Sequence, residues 1–439
     1  HLLRSSNLAG HHPPLFLRPS PIFTSVSGFL KLFSLSFCMA VSLFSHDVSD
    51  LCLGKPALRP LSLSATLADA LLALQFSHDY FVSVWDCHLP KSGCSGGVDG
   101  GAAGGDFECC RCVGKLCMVD VVCYLCKEEN LLSPSAALQA SVSEILPQIP
   151  GIVMHLEPSA SLLEAIDLVL QGAQNLVVPI KTKLGSNSRR KQLKNSPNAI
   201  HGGREFCWLT QEDIIRYLLS SIGFFSPIAA LSLDSLGIIG TNALSVDYHS
   251  PASSAIGAIS RSITNQTSVA VIDGDGILIG EISPFALAGC DKAVAAAIMT
   301  LSSGDLMAYI DCGGPPEDLV KLVKARLKDS KLEGMLEEFT NSPSSIGSAS
   351  FTSSSSDEEF SPSPRSRRCR RSSSYSARIT RRAEAIVCHP RSSLVAVMIQ
   401  AIAHRVNYVW VIEDDCSLIG MVTFLDMLKV FREHLETSE

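Results

Sequence analysis

Two pairs of side chains have the types and spacing to do chemistry: Thr423 with Asp426, and Thr210 with Asp213. In both, a hydroxyl and a carboxylate lie three residues apart where an apolar strand gives way to an apolar helix. A carboxylate there can accept hydrogen bonds from two hydroxyl groups, and a hydroxyl with free backbone N–H groups can hold an anion. The same pair is also an ordinary capping box, which stabilises a helix by roughly 0.5–2 kcal/mol. Capping and ligand contact do not exclude each other, so both interpretations stay open.

Two further segments keep only half of this pair. Cys117 replaces the hydroxyl that precedes Asp120, whereas Ser283 keeps the hydroxyl and Ala286 replaces the carboxylate. Asp120 and Ser283 are therefore weaker candidates for ligand contact. If a ligand needs the acidic group, the segment with Ala286 is expected to be empty or to bind in another way.

The four segments are copies of one heptad, which indicates an internal repeat. A polar start to an amphipathic helix precedes each heptad. The two pieces lie 35 residues apart in the third copy, from Pro251 to Ala286, and 36 apart in the fourth, from Pro390 to Asp426. The heptads are residues 114–120, 207–213, 280–286 and 420–426, and the helix starts are residues 64–71, 158–165, 251–258 and 390–397.

One unit is predicted to fold as strand, helix, strand, strand and helix, which is an α+β pattern. In the fourth copy, Pro390 suits the first turn of a helix, and apolar residues then recur at helical spacing. Residues 408–412 are rich in β-forming side chains, and a polar turn separates them from the return strand, residues 418–423. In the third copy, Gly beside Asp at residues 273–276 predicts a tight hairpin turn.

This pattern resembles the CBS (cystathionine-β-synthase-type) domain. The resemblance extends from Asp47 to about Leu435 and is strongest in the fourth copy, good in the third, interrupted by an insertion in the second and weakest in the first. The chain looks most like plant proteins made of four CBS repeats, which are similar to the γ subunits of SNF1/AMP-activated kinases. The resemblance implies that repeats pair into two Bateman modules, with neighbours in sequence as the expected partners.

The resemblance also implies that an adenine nucleotide or another adenosyl ligand lies between paired repeats. In that mapping, Asp426 would accept two ribose hydroxyls, while Thr423 and the helix N-terminus would hold phosphate. AMP, ATP, NADH and S-adenosylmethionine all present adenosine, so the residues do not choose between them, and no cofactor is required.

Two functions stay open at this point. The first is a ligand-sensing regulatory protein whose partner, by resemblance, would be a SNF1-related kinase. The second is a constitutive interaction scaffold whose ligand sites have decayed, which the losses at Cys117 and Ala286 favour. Association of two chains into a homodimer is left open as well.

Changes in composition along the chain predict its organisation. Few apolar residues with dense Ser, Pro and Arg indicate a disordered linker at residues 341–376. The apolar face from Pro315 to Phe339 predicts a single helix before it. The predicted boundaries are a leader at 1–46, repeat 1 at 47–130 with an insertion at 90–106, repeat 2 at 137–222 with an insertion at 182–203, repeat 3 at 224–296, a strand and connecting helix at 297–340, the linker at 341–376 and repeat 4 at 377–436.

The overall composition narrows the classes of function. A hydrophobic fraction of 46% with 18% charged residues describes a folded core. A net charge of −7 gives no reason to expect nucleic-acid binding, and no stretch is long and apolar enough to predict a membrane span. Met39 suits a true start, so residues 1–38 are interpreted as untranslated sequence and the protein as cytoplasmic. A plastid transit peptide is the alternative.

The cysteines are interpreted as reduced thiols rather than as a disulfide framework. Six of them crowd into residues 109–126, where zinc would need four ligands from two short knuckles. Cys117 is predicted on a strand, and Cys123 and Cys126 on the following helix, so these side chains face different directions. Core or surface thiols are therefore favoured over a metal site.

A basic run near residue 370 is a candidate site of modification. Arg residues lie two and three positions before serine, a pattern that basophilic kinases recognise, so Ser372, Ser373 and Ser374 are candidate phosphorylation sites. A solvated basic linker is the alternative. Phosphate there would add negative charge beside several arginines.

No catalytic constellation is apparent in the sequence. The histidines are scattered without metal-ligand spacing, and neither a Gly-x-Ser-x-Gly elbow nor a Gly-x-x-x-x-Gly-Lys phosphate loop occurs. Because the repeats use essentially all of the sequence that is expected to be ordered, we do not expect an enzyme.

Overall fold

The fold repeats one small sheet four times. The computed structural model describes residues 42–77, 80–87, 110–146, 149, 151–180, 204–311, 315–342 and 385–438. Within these residues, twelve strands form four separate three-stranded sheets. In each sheet the first strand pairs in parallel with the second, and the second pairs antiparallel with the third. A helix joins each parallel pair, as such a connection requires, which confirms the predicted βαββα unit.

The strands follow the four repeats in order. They are β1 Pro60–Ser62, β2 Phe81–Asp86 and β3 Arg111–Cys117 in repeat 1; β4 Val153–His155, β5 Asn175–Ile180 and β6 Glu205–Thr210 in repeat 2; β7 Ser245–Asp247, β8 Val269–Ile272 and β9 Leu278–Ile282 in repeat 3; and β10 Val387–Cys388, β11 Tyr408–Ile412 and β12 Leu418–Thr423 in repeat 4.

The helices are more numerous than four repeats require, because short helices fill the connections. They are α1 Val48–Leu51, α2 Leu67–Phe76, α3 Met118–Leu125, α4 Glu128–Leu131, α5 Pro134–Ala137, α6 Leu162–Leu170, α7 Gln211–Ser220, α8 Ser226–Ala229, α9 Leu233–Leu236, α10 Ile256–Asn265, α11 Pro284–Gly289, α12 Val294–Thr300, α13 Ser303–Ile310, α14 Glu317–Asp329, α15 Glu333–Asn341, α16 Leu394–His404 and α17 Phe424–Ser438.

Every heptad is a junction between a strand and a helix, as predicted. Helices α3, α7 and α17 begin at the residue after β3, β6 and β12, and α11 begins two residues after the end of β9. The first helix of repeat 4 differs from the prediction, because α16 begins at Leu394 with Ser393 at its N-cap. Pro390 lies before the helix, in a turn that is closed by a hydrogen bond from the Ser392 N–H to the His389 carbonyl at 2.9 Å.

The first helix of each repeat starts against a segment from outside that repeat, which we call its strap. The strap of repeat 2 contains Asp47 and precedes repeat 1, and the strap of repeat 1 contains Ser141 and lies between repeats 1 and 2. Repeats 3 and 4 exchange straps in the same way. Each contact is an antiparallel backbone bridge: Thr66 with Ser141, Ser161 with Asp47, Pro251 with Ser302, and Ser393 with Ser232. The exchange ties repeat 1 to repeat 2 and repeat 3 to repeat 4, the pairing expected from sequence order.

The strap exchange corrects two predicted boundaries. Residues 47–58 were assigned to repeat 1, but Val48 is fully buried in the core that contains repeat 2. Residues 137–146 were assigned to repeat 2, but Leu138 and Val142 are buried with Leu67 of repeat 1. Boundaries drawn in sequence order could not anticipate an exchange between neighbouring repeats.

Two kinds of contact hold the repeats together. Within a module, the sheets meet: Trp85 of repeat 1 packs on His155 and Phe206 of repeat 2, with ring centroids 5.9 and 5.1 Å away. Between modules, helices meet: α3 of repeat 1 packs on α10 of repeat 3, and α7 of repeat 2 packs on α16 of repeat 4. The result is two large apolar cores, one shared by repeats 1 and 3 and the other by repeats 2 and 4.

The segment between repeats 3 and 4 is helical, so the strand predicted within residues 297–340 is wrong. The chain forms α12 and α13 there, because a run of alanine and other helix formers ends at the Ser302 N-cap of α13. The single helix predicted from Pro315 to Phe339 is two helices, α14 and α15. They are separated at Lys331, whose φ of 57° is left-handed.

The close approach of Gly240 and Gly420 gives a test of the contact between repeats 3 and 4. The Gly240 N–H donates to the Met421 carbonyl at 2.8 Å, and a Cβ at Gly420 would lie 2.1 Å from the Gly240 carbonyl oxygen. We predict that Gly420→Ala lowers the free energy of unfolding by about 1–3 kcal/mol, because backbone atoms would have to move. Urea denaturation measures the change.

The matched control is Gly257→Ala, in helix α10. No atom lies within 4 Å of a Cβ at Gly257, so alanine should stabilise the helix by up to about 1 kcal/mol. Equal stability of the Gly420→Ala protein and the wild type would contradict this account of the contact.

Candidate functional site

Thr423 and Asp426 form a complete capping box at the start of α17. One carboxylate oxygen of Asp426, Oδ2, accepts the Thr423 backbone N–H at 2.8 Å and the Thr423 hydroxyl at 2.6 Å. The Asp426 N–H donates to Thr423 Oγ1 at 3.2 Å. The second oxygen, Oδ1, has no hydrogen-bond partner among the described residues. Capping therefore uses one oxygen of the carboxylate and leaves the other for a ligand.

A cavity of about 390 Å³ lies beside this pair. Its volume falls within the range of small-molecule sites in proteins. Three repeats build its wall, with Gln174 from repeat 2, Gly240 and Thr267 from repeat 3, and Thr423 and Asp426 from repeat 4. The cavity thus lies where the two modules meet and is lined by one of the two candidate pairs from the sequence.

A chain of hydrogen bonds between amide groups links these three repeats around the cavity. Asn407 Nδ2 donates to Gln266 Oε1 at 2.9 Å, and Gln266 Nε2 donates to the Gln174 carbonyl at 2.9 Å. Gln174 Nε2 in turn donates to the Thr264 carbonyl. Asn407 also accepts the Phe424 N–H at 2.8 Å, which attaches the start of α17 to the same chain.

Thr267 adds a polar group that this network does not use. Its side chain lines the cavity and is 7% exposed, and its hydroxyl is buried without a hydrogen-bond partner among the described residues. A buried hydroxyl that lacks a partner costs about 1–3 kcal/mol. This cost would be relieved by a ligand or a water molecule that reaches the group.

In the second candidate pair, a lysine of the same chain already binds the carboxylate. Asp213 Oδ2 accepts the Thr210 N–H at 2.7 Å and the Thr210 hydroxyl at 2.6 Å, as in repeat 4. The Lys55 ammonium group also binds this oxygen and donates to the Trp208 carbonyl at 2.7 Å. Lys55 follows the strap of repeat 2, so the strap segment brings a cation to the carboxylate that a ligand would need.

The first repeat has almost no space at its junction. Asp120 Oδ2 accepts the Cys117 N–H at 2.7 Å, and the adjacent cavity measures about 20 Å³, enough for one water molecule. Lys115 lines this cavity with its ammonium group 4.5 Å from the centre of the Phe81 ring. Burial lowers the pKa of Lys115 to about 8 and raises the pKa of Asp120.

The third repeat keeps its hydroxyl in a capping role. Ser283 is buried, and its Oγ accepts the Phe285 N–H at 3.2 Å. A carboxylate that the sequence reasoning did not single out lies two residues earlier. Glu281 is 4% exposed and accepts hydrogen bonds from the Tyr408 hydroxyl at 2.8 Å and from Trp410 Nε1 at 2.7 Å. These contacts join repeats 3 and 4 beneath the cavity-lining residues.

The structure brings one of the predicted pairs to a large cavity. Thr423 and Asp426 line the cavity of about 390 Å³, Asp120 lines the one of about 20 Å³, and neither cavity is lined by Thr210, Asp213 or Ser283. Sequence reasoning missed the amide groups and Lys55, because they lie outside the repeated heptads. The cluster of Gln and Asn in residues 264–266 with Gln174 was the available signal.

The cysteine-rich segment places its thiols mainly in the core. Cys112, Cys117 and Cys126 are buried, and burial raises the pKa of Cys112 to about 12. In the part of the chain that the structure describes, no three His, Cys, Asp or Glu side chains are grouped to hold a metal ion. Cys109 and the candidate phosphorylation sites Ser372, Ser373 and Ser374 lie outside the described residues.

Comparisons with known proteins agree with the predicted resemblance. A family model for the CBS domain matches residues 378–433, which contain the fourth sheet and the cavity-lining pair. The CBS domain-containing protein CBSX5 of Arabidopsis thaliana is 49% identical over 412 residues, covering 91% of this chain and 100% of the relative. The SNF1-related protein kinase regulatory subunit gamma-like PV42b of the same plant is 21% identical, covering 90% of this chain and 96% of the relative.

A solved structure from Methanocaldococcus jannaschii also matches this chain. It is described as a proposed archaeal homologue of γ-AMPK, and it matches with a TM-score of 0.48 and 14% identity, covering 88% of this chain and 100% of that chain. Among the residues that the structure describes, none of the helices combines the length and the apolar character that crossing a membrane requires.

The contact between Lys55 and Asp213 can be tested through its effect on the free energy of unfolding. We predict that Lys55→Met lowers the free energy of unfolding by about 1–3 kcal/mol, because the charge-assisted bonds to Asp213 and Trp208 are lost. The control is Arg216→Met, which removes an exposed pair with Glu212 on the same helix, worth about 0.3–0.5 kcal/mol. If both changes lowered the free energy of unfolding equally in chemical denaturation, Lys55 would stabilise the protein no more than an exposed ion pair does.

The lowered pKa of Lys115 predicts a dependence of stability on pH. Its folded pKa of about 8 lies below the ordinary value of 10.5, so the unfolded chain binds more protons between these values. Stability contributed by this residue therefore rises as pH increases from about 8 to about 10.5. Denaturation across this range should show the wild type gaining stability relative to Lys115→Met. The neighbouring Asp120 and Cys117 are present in both proteins, and parallel curves would contradict the prediction.

Proposed function

The chain belongs to the CBS domain-containing proteins, and on this basis we propose that it is a non-catalytic regulatory protein that senses an adenosine-containing ligand. The ligand would bind in the cavity beside Thr423 and Asp426. Its binding would change how the two modules fit together and so change the affinity for a protein partner.

The observation that carries this proposal is the free oxygen of Asp426 at the wall of a cavity of suitable size. A carboxylate oxygen on a helix start can accept hydroxyl groups of a ribose ring. The capping box holds the carboxylate in place through two hydrogen bonds to its Oδ2, so its orientation is set before a ligand arrives. Such preorganisation lowers the entropic cost of binding.

Regulation would follow from the position of the cavity between modules. A ligand that contacts repeats 2, 3 and 4 together favours the arrangement in which their groups converge. A protein partner that prefers the same arrangement then binds more tightly, and this linkage works in both directions. The chain of bonds through Asn407, Gln266 and Gln174 connects the carboxylate-bearing helix to the other module.

A SNF1-related kinase is the partner that we propose. The support comes from the similarity over nearly the full length to a relative named as a γ-like regulatory subunit of such a kinase. The protein would act in that complex through its surface rather than through catalysis.

The alternative function is a constitutive scaffold without a ligand. The closure of Asp213 by Lys55 and the absence of a carboxylate at Ala286 favour it. The two functions differ in one measurable property. Calorimetry with AMP, ATP, NADH and S-adenosylmethionine should detect binding to a sensor and none to a scaffold.

The role of Asp426 gives the decisive variant. We predict that Asp426→Ala weakens the binding of any adenosyl ligand that the wild type binds by at least about tenfold, because hydrogen bonds to a charged group are lost. Isothermal titration calorimetry on the full chain measures the affinity. Circular dichroism at the same temperature checks that the fold is retained.

The control for capping is Asp69→Ala at the start of α2. Asp69 forms the same capping box with Thr66, with bonds of 3.1 and 2.8 Å, but it is exposed and does not line either cavity. Both variants should lose about 0.5–2 kcal/mol of stability, and only Asp426→Ala should lose the ligand. Undiminished binding by Asp426→Ala would refute the assigned role.

A further inference from the structure

We infer that the ligand of the central cavity is an adenosyl compound without phosphate, either neutral or positively charged, rather than a nucleotide. This inference rests on the proposed function and narrows the class of ligand that it leaves open. Three observations carry it: the charge of the cavity wall, the state of the helix N-terminus and the neutral groups that remain available.

The described residues of the cavity wall carry one negative charge and no positive charge. Among the described residues that line it, Asp426 alone is ionisable, and none is Lys, Arg or His. A phosphate group brought into this space would lose water without gaining a cation, and it would lie near a carboxylate. Both effects oppose binding, since a desolvated charge must be paired to be tolerated.

The start of α17 has few donors left for an anion. A helix N-terminus binds phosphate through backbone N–H groups that lack internal partners. Here the Thr423 N–H donates to Asp426, the Phe424 N–H donates to the Asn407 carbonyl, and the Asp426 N–H donates to Thr423 Oγ1. The Thr423 hydroxyl also donates to Asp426. At most the Leu425 N–H remains, which is too little for a phosphate cradle.

Neutral polar groups remain on the wall instead. The side-chain amides of Gln211, Asn242 and Asn265 line the cavity and make no hydrogen bonds to other described residues. An amide group offers both donors and an acceptor, which suits the edge of a purine base. A ribose on Asp426 and a base on these amides would use the available groups without any need for a cation.

Lys115, which lines a neighbouring cavity, does not alter this balance. Lys115 lines the separate cavity of about 20 Å³, which shares Ile152, Gln174 and Thr264 with the wall of the central cavity. Its ammonium group lies over the Phe81 ring, and Asp120 lines the same small space. The cation therefore already has a carboxylate and an aromatic face as neighbours, and it does not line the larger cavity.

Calorimetry on the full chain with adenosine, S-adenosylmethionine, AMP and ATP at one ionic strength tests the inference. We expect adenosine or S-adenosylmethionine to bind at least about tenfold more tightly than AMP, and ATP to bind no better than AMP. In the Lys115→Met protein this ratio should be unchanged.

A lysine introduced at the cavity wall should improve the binding of a ligand that carries phosphate. Asn242 is exposed at the cavity wall, so Asn242→Lys should improve AMP binding relative to adenosine by about tenfold. The matched control is Thr241→Lys, because Thr241 is exposed and adjacent but does not line the cavity. It should leave the ratio as in the wild type.

The possible results separate the two proposals. If AMP binds more tightly than both adenosine and S-adenosylmethionine, or if Lys115→Met abolishes AMP binding, the phosphate-free ligand is wrong and the sensor remains. If none of the four compounds binds, the sensor itself is wrong and the inference falls with it.

Discussion

The exchange of straps is the constraint on which the rest of this structure depends. The first turn of a helix has backbone N–H groups without internal partners, and in every repeat the strap supplies carbonyls and apolar cover at that point. The Leu162 N–H of repeat 2 donates to the His46 carbonyl at 2.9 Å, and the Leu394 N–H of repeat 4 donates to Leu231 at 2.9 Å. Because the strap of repeat 2 precedes repeat 1 and the strap of repeat 4 precedes repeat 3, repeats 2 and 4 are completed by chain that lies beyond their neighbours. The apolar cores are completed when the two modules stack, since repeat 1 shares its core with repeat 3 and repeat 2 shares its core with repeat 4.

The position of the cavity follows from how two such modules stack. Helices pack repeat 1 on repeat 3 and repeat 2 on repeat 4, so the ends of the sheets converge where the modules meet. The backbones of Gly240 and Gly420 approach too closely there for a side chain on Gly420. Gln266, with a left-handed φ of 55° at the end of α10, directs its amide between Gln174 and Asn407. The cavity is thus a product of the assembly, since no single repeat contains its wall.

Short-range sequence patterns predicted the features of this fold that depend on neighbouring residues. The alternation of apolar runs and turns placed all four junctions between strand and helix, and the Thr–Asp spacing identified the pair that lines the cavity. The first helix of repeat 4 starts later than predicted, because residues 389–392 form a hydrogen-bonded turn before the Ser393 N-cap. The straps, Lys55 beside Asp213 and the bonds of Gln266 join residues more than 50 positions apart. Such contacts depend on how the repeats pack against each other, and the spacing of residues along the chain carries no information about that packing.

The four junctions differ in their surroundings as well as in the motif, and the ligand site proposed for repeat 4 rests on both. Repeats 2 and 4 have the same capping box with nearly the same bond lengths. In repeat 2 the strap segment delivers Lys55 to the carboxylate, whereas in repeat 4 the equivalent carboxylate faces space between modules. Capping also consumes the donors that an anion would need and leaves one acceptor oxygen. On the proposed function, these capping bonds would restrict a motif that could hold either ribose or phosphate to partners that donate hydrogen bonds.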